Sequence, residues 1–90
     1  MQQEELYGYP LMRNVELQCF ELKQNITASV VCDNLISNVD SFIDRNALRE
    51  RIYKCLLKLE NLKIIHHTEE ATKFKTRRYI FKLSNNGSQD

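Results

Sequence analysis

The chain has 90 residues, enough for one domain but too few to bury a large core, so its function must be carried on the surface. Hydrophobic residues make up 42% and charged residues 28%, with two Gly and one Pro, which excludes disordered, collagen-like and low-complexity classes. The net charge of +1 excludes a strong attraction of the whole molecule to nucleic acid. The scarcity of turn-forming residues favours helices over an all-β fold.

Acidic and basic residues are concentrated at opposite ends of the chain. The first quarter is rich in Glu, whereas basic residues crowd one short segment near the end, namely Lys73, Lys75, Arg77, Arg78 and Lys82. Because such a cluster sets the local field even when the whole chain is nearly neutral, we expect one basic face.

The sequence carries no signal for export or membrane insertion. It has no run of 18 apolar residues and no basic-then-apolar leader, so we expect a cytoplasmic, nucleoid-associated protein, or a nuclear one in a eukaryote. Cys19, Cys32 and Cys55 are odd in number, far apart and flanked by apolar residues. This pattern predicts reduced, buried thiols rather than a disulfide framework.

A single domain is predicted over residues 10–83, with an N-terminal extension over residues 1–9 and a disordered C-terminal tail over residues 84–90. The first predicted helix runs from Leu11 to about Gln24, because one stripe collects Leu11, Met12, Val15, Cys19 and Leu22. Leu17 and Phe20 fall outside that stripe. Two interpretations are open: the N-terminal segment or a strand covers them, or they form a dimer surface.

Two more helices are predicted in the middle of the chain. Ile26 is interpreted as a one-residue strand, and Thr27 as the cap of a helix over about Ala28 to Ile36. The inward positions of that helix are Val31, Cys32 and Leu35. A turn-rich connection of about seven residues follows.

The third helix has the clearest pattern. Asp44 is a good N-cap, and Ile43 and Leu48 have the spacing of a hydrophobic staple, so a helix is predicted over about Arg45 to Glu60. Its apolar stripe consists of Leu48, Ile52, Cys55, Leu56 and Leu59. We expect Asn61 to end it, because Asn adopts the left-handed conformation readily.

The last part of the chain predicts a β-hairpin. Residues 62–68 and about 74–83 are rich in β-branched and aromatic side chains, and residues 69–73 are predicted to join them. In the second strand, one face would carry Tyr79, Phe81 and Leu83, and the other Arg78, Ile80 and Lys82. The predicted fold class is α+β, a three-helix bundle followed by a two-stranded hairpin.

This order of elements, and the stretch from Asp44 to Leu83 in detail, resembles the winged helix-turn-helix DNA-binding superfamily. The resemblance is carried by the polar, basic start RNALR at residues 45–49, the leucine seam and turn LLKLENLKII at 56–65, and RRYIF at 77–81. Residues 11–43 match only in the order and size of their elements. The connection before helix 3 is longer than the usual three or four residues, and the hairpin tip has no Gly.

The resemblance implies a small transcriptional regulator that binds double-stranded DNA sequence-specifically, with helix 3 in the major groove. Base contacts would then come from Arg45, Asn46, Arg49 and Glu50, and backbone contacts from Tyr53 and Lys54. The hairpin, or wing, would contact phosphates or enter the adjacent minor groove through Lys73, Lys75, Arg77 and Arg78. A homodimer on paired half-sites is also implied, and the candidate dimer residues are Leu17 and Phe20.

Other interpretations of the same residues are open. The polar side of helix 3 is also typical of a solvated helix face, and the basic strand is also typical of an edge that resists pairing. The alternative function is a winged-helix protein–protein interaction module, or an antagonist of a regulator. The near-neutral net charge favours that alternative.

No pattern indicates catalysis, a cofactor, a metal or a small-molecule substrate, so we expect a non-enzyme. His66 and His67 are adjacent and would point to opposite faces of a strand, where they cannot share a metal; each is expected to be exposed and unliganded. The sequence has no Cys-x-x-Cys pair and no Gly-rich phosphate loop. Turn and cap roles are predicted for Asp33, Asp40 and Asp44.

Overall fold

A computed structural model of the protein describes residues 6–37, 44–71 and 77–84, apart from the side chains of Ala71 and Arg77. The elements in chain order are α1 (Gly8–Leu22), α2 (Ala28–Ile36), α3 (Arg45–Asn61), β1 (Ile65–Ala71) and β2 (Arg77–Leu83). The two strands pair antiparallel. The described fold is therefore α+β, three helices followed by a two-stranded hairpin, as predicted.

The ordered domain begins earlier than predicted. Leu6 is only 1% exposed, and its carbonyl oxygen accepts a hydrogen bond of 3.1 Å from Nε of Arg51. The helix α1 starts at Gly8 rather than Leu11, since Pro10 lies in the first turn, where its missing amide hydrogen would have no partner anyway. The predicted N-terminal extension over 1–9 is therefore too long, and residues 1–5 lie outside the described part.

The other end of the domain also extends by one residue. The amide of Ser84 donates to the carbonyl oxygen of Ile64 at 2.9 Å, so Ser84 belongs to the domain and not to the predicted tail. The remainder of that predicted tail, residues 85–90, lies outside the described residues.

The apolar stripe predicted for α1 is confirmed, because Leu11, Val15 and Cys19 are buried. Leu17 and Phe20, however, are 56% and 50% exposed. None of the described residues covers these two side chains, and the dimer surface stays a prediction. The helix ends at Leu22, two residues before the predicted end, because Lys23 takes a φ of 69° and donates its amide to Cys19.

The predictions for α2 are confirmed. Oγ1 of Thr27 accepts a hydrogen bond from the amide of Val30 at 3.2 Å, which caps the helix, and Val31, Cys32 and Leu35 are buried. Ile26 forms the predicted one-residue strand. It exchanges two backbone hydrogen bonds with Phe81, of 2.9 and 2.8 Å, and so ties the start of α2 to β2.

The start of α3 is also as predicted, because the carboxylate of Asp44 accepts hydrogen bonds from the amides of Asn46 and Ala47. Its apolar stripe packs inward, with Leu48, Ile52, Leu56 and Leu59 buried and Cys55 half-buried. Ile43 of the predicted staple lies outside the described residues, as does Asp40. Asp33 is not a turn residue as predicted, since it lies within α2.

The end of α3 differs from the prediction. Asn61 remains in the helix, and Lys63 takes the left-handed conformation with a φ of 65°. The amides of Lys63 and Ile64 donate to the carbonyls of Glu60 and Leu59, which is a Schellman motif. Because this motif directs the chain back toward the core, Ile65 is buried where β1 begins.

This helix end moves the hairpin along the sequence. Residues 62–64 complete the turn, so β1 begins three residues later than predicted and includes Glu69, Glu70 and Ala71, which were predicted as loop. The connecting segment at 72–76 lies outside the described residues. The alternation predicted for β2 is confirmed: Phe81 is buried, Tyr79 and Leu83 are half-buried, and Arg78 and Lys82 are exposed.

The core lies between the three helices and the inner face of the hairpin. All three cysteines are free thiols; the predicted burial is confirmed for Cys19 and Cys32, whereas Cys55 is only half-buried. Burial, reinforced by the nearby Glu16 carboxylate, raises the pKa of Cys19 to about 12. Within the described ranges, no helix has the length and apolar content needed to cross a bilayer.

Candidate nucleic-acid interface

Two shallow depressions adjoin each other on the surface of the domain, and together we call them the α2–α3–wing groove. It consists of two adjoining depressions that share Ala28 and Tyr53, with volumes of about 440 and 520 Å³. Its walls come from the start of α2, the exposed face of α3 and the start of the described part of β2, and the lining residues are Thr27, Ala28, Ser29, Asn46, Arg49, Glu50, Tyr53, Arg78 and Tyr79.

The α3 wall of the groove follows from the helical period. The four α3 residues in the wall flank the buried stripe that begins with Leu48 and Ile52, so packing of that stripe leaves them at the surface, with Arg49 half-buried. Nη2 of Arg49 donates a hydrogen bond to Oδ1 of Asn46, one turn earlier. The structure therefore brings together four of the predicted base-contacting and backbone-contacting residues: Asn46, Arg49, Glu50 and Tyr53.

Aromatic contacts join the α3 wall to the hairpin wall. The ring centroid of Tyr53 lies 6.1 Å from that of Tyr79 and 6.5 Å from that of Phe81. Burial raises the pKa of the Tyr53 hydroxyl, and Tyr79 and Glu60 add smaller contributions in the same direction. The hydroxyl is therefore a neutral donor at physiological pH, next to Arg78 in the groove.

Two predicted site residues on α3 do not line the groove. Nη1 of Arg45 forms an ion pair of 3.0 Å with Oδ1 of Asp33 on α2. Lys54 lines a separate depression between α1 and α3, together with Arg51 and Lys58. Arg45 is therefore paired with α2 and Lys54 lies on another face of α3, outside the groove, and their contacts with DNA stay a prediction.

The hairpin contributes one described cation to the groove. Arg78 is exposed, and its Nε and Nη2 donate to Oε1 of Glu70, the residue opposite it in the antiparallel register, at 3.1 and 2.9 Å. Arg77 occupies the first position of β2, opposite Ala71. Lys73, Lys75 and the side chain of Arg77 lie outside the described residues.

The position of the hairpin against α3 is set by a histidine whose role differs from the prediction. His67 is half-buried rather than freely exposed, and its Nδ1 lies 2.6 Å from Oε2 of Glu60. The same oxygen accepts the backbone amide of His67 at 3.0 Å. The His67 ring stacks on Tyr79 with centroids 4.0 Å apart and planes 8° from parallel, so Glu60 indirectly holds Tyr79 in place.

The comparisons with known proteins identify no relative. Neither protein-family models, nor curated proteins, nor solved structures give a match to this chain.

Several residues that line the groove were not predicted from the sequence. Thr27 was identified as a cap, but nothing in the sequence showed that Thr27, Ala28 and Ser29 would face Tyr53 and Arg78. Asp33 and Glu70, which pair with two predicted cations, were also missed. Register alone could have found Glu70 once the strand limits were known, whereas the contact between Asp33 and Arg45 depends on how α2 packs on α3.

Among the residues that the structure describes, no three His, Cys, Asp or Glu side chains are grouped closely enough to hold a metal ion. The groups that line the groove are hydroxyls, amides, guanidinium groups, aromatic rings and the carboxylate of Glu50. This set of groups can donate hydrogen bonds, attract anions and stack against planar groups.

Proposed function

We propose that this chain is a winged-helix domain that binds double-stranded DNA through the α2–α3–wing groove and has no catalytic role. The observation that carries the proposal is the common groove: Asn46 and Arg49 of α3 and Arg78 of β2 line adjoining depressions that share Ala28 and Tyr53. A single duplex could meet both at once, with α3 in the major groove, which is about 12 Å wide and accepts a helix.

Base contacts in this proposal come from Asn46 and Arg49. Asn pairs well with adenine and Arg with guanine, and each good bidentate pair contributes about 1–3 kcal/mol of discrimination. The side chains are hydrogen-bonded to each other in the free protein. One surface-exposed hydrogen bond must be exchanged on binding, which costs little because water and base edges replace it.

Phosphate contacts come from the hairpin side and from the start of α2. Arg78 would leave Glu70 and approach a phosphate, while Thr27 and Ser29 supply hydroxyls beside the first amides of α2. The pair of Arg78 and Glu70 is about half exposed, with side-chain exposures of 58% and 53%. Exposed pairs of this kind contribute only about 0–1 kcal/mol, so the exchange is favourable.

The test is a titration of the full chain with labelled random-sequence duplex at about 50 and 200 mM salt. DNA binding predicts an affinity that falls steeply with salt, a smaller salt slope for the phosphate-contacting Arg78→Gln, and weaker binding for the base-contacting Arg49→Gln. Lys23→Gln is the matched control, because it removes one positive charge from an exposed residue that does not line the groove. Equal losses in all three variants would contradict a role for the groove.

A protein-binding module is the second candidate, and the charges of the groove favour it in one respect. Glu50 lies in the groove, and Arg45 and Arg78 already have acidic partners, so the described surface is not strongly basic. A protein-docking module predicts almost no affinity for duplex at either salt concentration. The same titration therefore separates the two candidates.

A further inference from the structure

The exposed face of α1 carries a self-complementary pattern that the proposed DNA contacts do not use. Its central residues are spaced by four, three and four positions, which is the spacing of a helix–helix seam: Tyr9, Arg13, Glu16 and Phe20. The buried stripe of α1, formed by Leu11, Val15 and Cys19, lies on another side of the helix. The seam therefore faces away from the core of its own domain.

The seam is exposed in the free chain. Tyr9 and Phe20 are 76% and 50% exposed, and Leu17 beside them is 56% exposed. Arg13 is exposed and Glu16 is half-buried. In the part of the chain that the structure describes, neither charged residue forms a hydrogen bond or an ion pair. An aromatic residue at each end and two opposite charges in the middle, which have no partner among the described residues, are thus available to a second chain.

A second copy of the same helix fits this pattern when it runs antiparallel. The midpoint of the seam lies between Asn14 and Val15, and the two outer residues are equally far from it, as are the two inner residues. A two-fold axis at that midpoint places Tyr9 of each copy against Phe20 of the other. It also places Arg13 of each copy against Glu16 of the other, so both charges are matched twice.

We propose that α1 is an antiparallel homodimer interface whose contacts are Tyr9 with Phe20 and Arg13 with Glu16 of the second copy, with Leu17 at its edge. A parallel arrangement is disfavoured because it would place Arg13 against Arg13. No residue of α1 lines the α2–α3–wing groove, so pairing leaves that groove open on both copies. One helix per copy is a small interface, so we expect a dissociation constant on the order of 10–100 µM.

Charge reversal tests the proposal by sedimentation equilibrium without DNA, so its outcome is independent of the proposed DNA binding. Arg13→Glu and Glu16→Arg each place like charges opposite each other and should weaken dimerisation at least about tenfold. Mixing these two variants restores both opposite-charge pairs and should restore the dimer as a heterodimer. The double variant Arg13→Glu/Glu16→Arg should dimerise like the unmodified chain.

Glu21→Arg is the control for Glu16→Arg. It makes the same charge change on an exposed α1 residue outside the seam and should leave dimerisation unchanged. Circular dichroism of each variant checks that the domain is folded. An unmodified chain that stays monomeric at about 1 mM would overturn the proposal. So would single variants that dimerise normally, or a mixture of the two that fails to associate.

Discussion

The imidazole ring of His67 and the phenol ring of Tyr79 stack in parallel with centroids 4.0 Å apart, and this contact joins the two strands of the hairpin on the side that faces α3. His67 belongs to β1 and is held by Glu60 of α3, whereas Tyr79 belongs to β2 and touches Tyr53 in the groove. A change on any of these four residues should therefore affect both stability and the shape of the groove.

Tyr79→Ala should lower the free energy of unfolding by about 2–3 kcal/mol, because the half-buried ring loses its contacts with three aromatic neighbours. Tyr79→Phe keeps the ring and should change the free energy by less than about 0.5 kcal/mol. Urea denaturation followed by circular dichroism measures both. Similar losses in the two variants would show that the hydroxyl rather than the ring stabilises the hairpin.

Glu60→Ala should destabilise the domain by about 1–3 kcal/mol, because the amide and the ring nitrogen of His67 both lose their acceptor in a half-buried position. Glu60→Gln retains one acceptor oxygen for the amide, so we expect a smaller loss. The measurement is again the urea midpoint of each variant. An alanine variant as stable as the unmodified chain would mean that water replaces the carboxylate at no cost.

Lys63→Gly should stabilise the domain by about 0.5–1 kcal/mol, since Lys63 occupies the left-handed region, where Gly meets no steric penalty. The gain corresponds to a rise in Tm of about 3–6 °C for a domain of this size. Lys63→Ala removes the same charge and keeps the Cβ, so it should give no such gain. Differential scanning calorimetry of the three proteins decides the point.

Stability should fall with pH above about 9, because the pKa of Cys19 is about 12 in the folded chain and 9.0 is its ordinary value. Between these values the unfolded chain loses its thiol proton while the folded chain keeps it, so alkali favours unfolding by at most about 1.4 kcal/mol per pH unit. Below pH 9 both states are protonated, and this thiol contributes no pH dependence.

The control for that pH dependence is Cys19→Ala, which should be less stable than the unmodified chain below pH 9 but have a flatter stability profile above it. At neutral pH, Cys19 should react with thiol reagents only as fast as the domain unfolds, since it is fully buried. An alanine variant with the same alkaline slope as the unmodified chain would assign the pH dependence to another group.

The parts of the fold that depend on residues close together in the sequence could be predicted. The caps Thr27 and Asp44 act on amides two or three residues away, and the stripe of α3 follows from its own period, so both were predicted correctly. The end of α3 was not predicted correctly. Whether Asn61 or Lys63 adopts the left-handed conformation depends on how Ile64 and Ile65 pack against the core.

The candidate site was predictable only in part for the same reason. Asn46, Arg49 and Tyr53 could be placed on one face of α3 by the helical period alone. Whether that face meets α2 and the hairpin depends on packing between elements distant in sequence. The ion pair of Arg45 with Asp33 is such a contact, and it turns one of the predicted base-reading residues away from the groove.

The two backbone hydrogen bonds between Ile26 and Phe81 reduce the conformational entropy that this part of the chain can lose when a ligand binds. With Leu83, whose amide donates to Lys23 at 2.8 Å, these contacts fasten the final strand to the segment between the first two helices. The chain at this position is already ordered in the free protein. Binding of a ligand there therefore costs little conformational entropy. We therefore expect the amide hydrogens of Phe81 and Leu83 to exchange with solvent only when the entire domain opens.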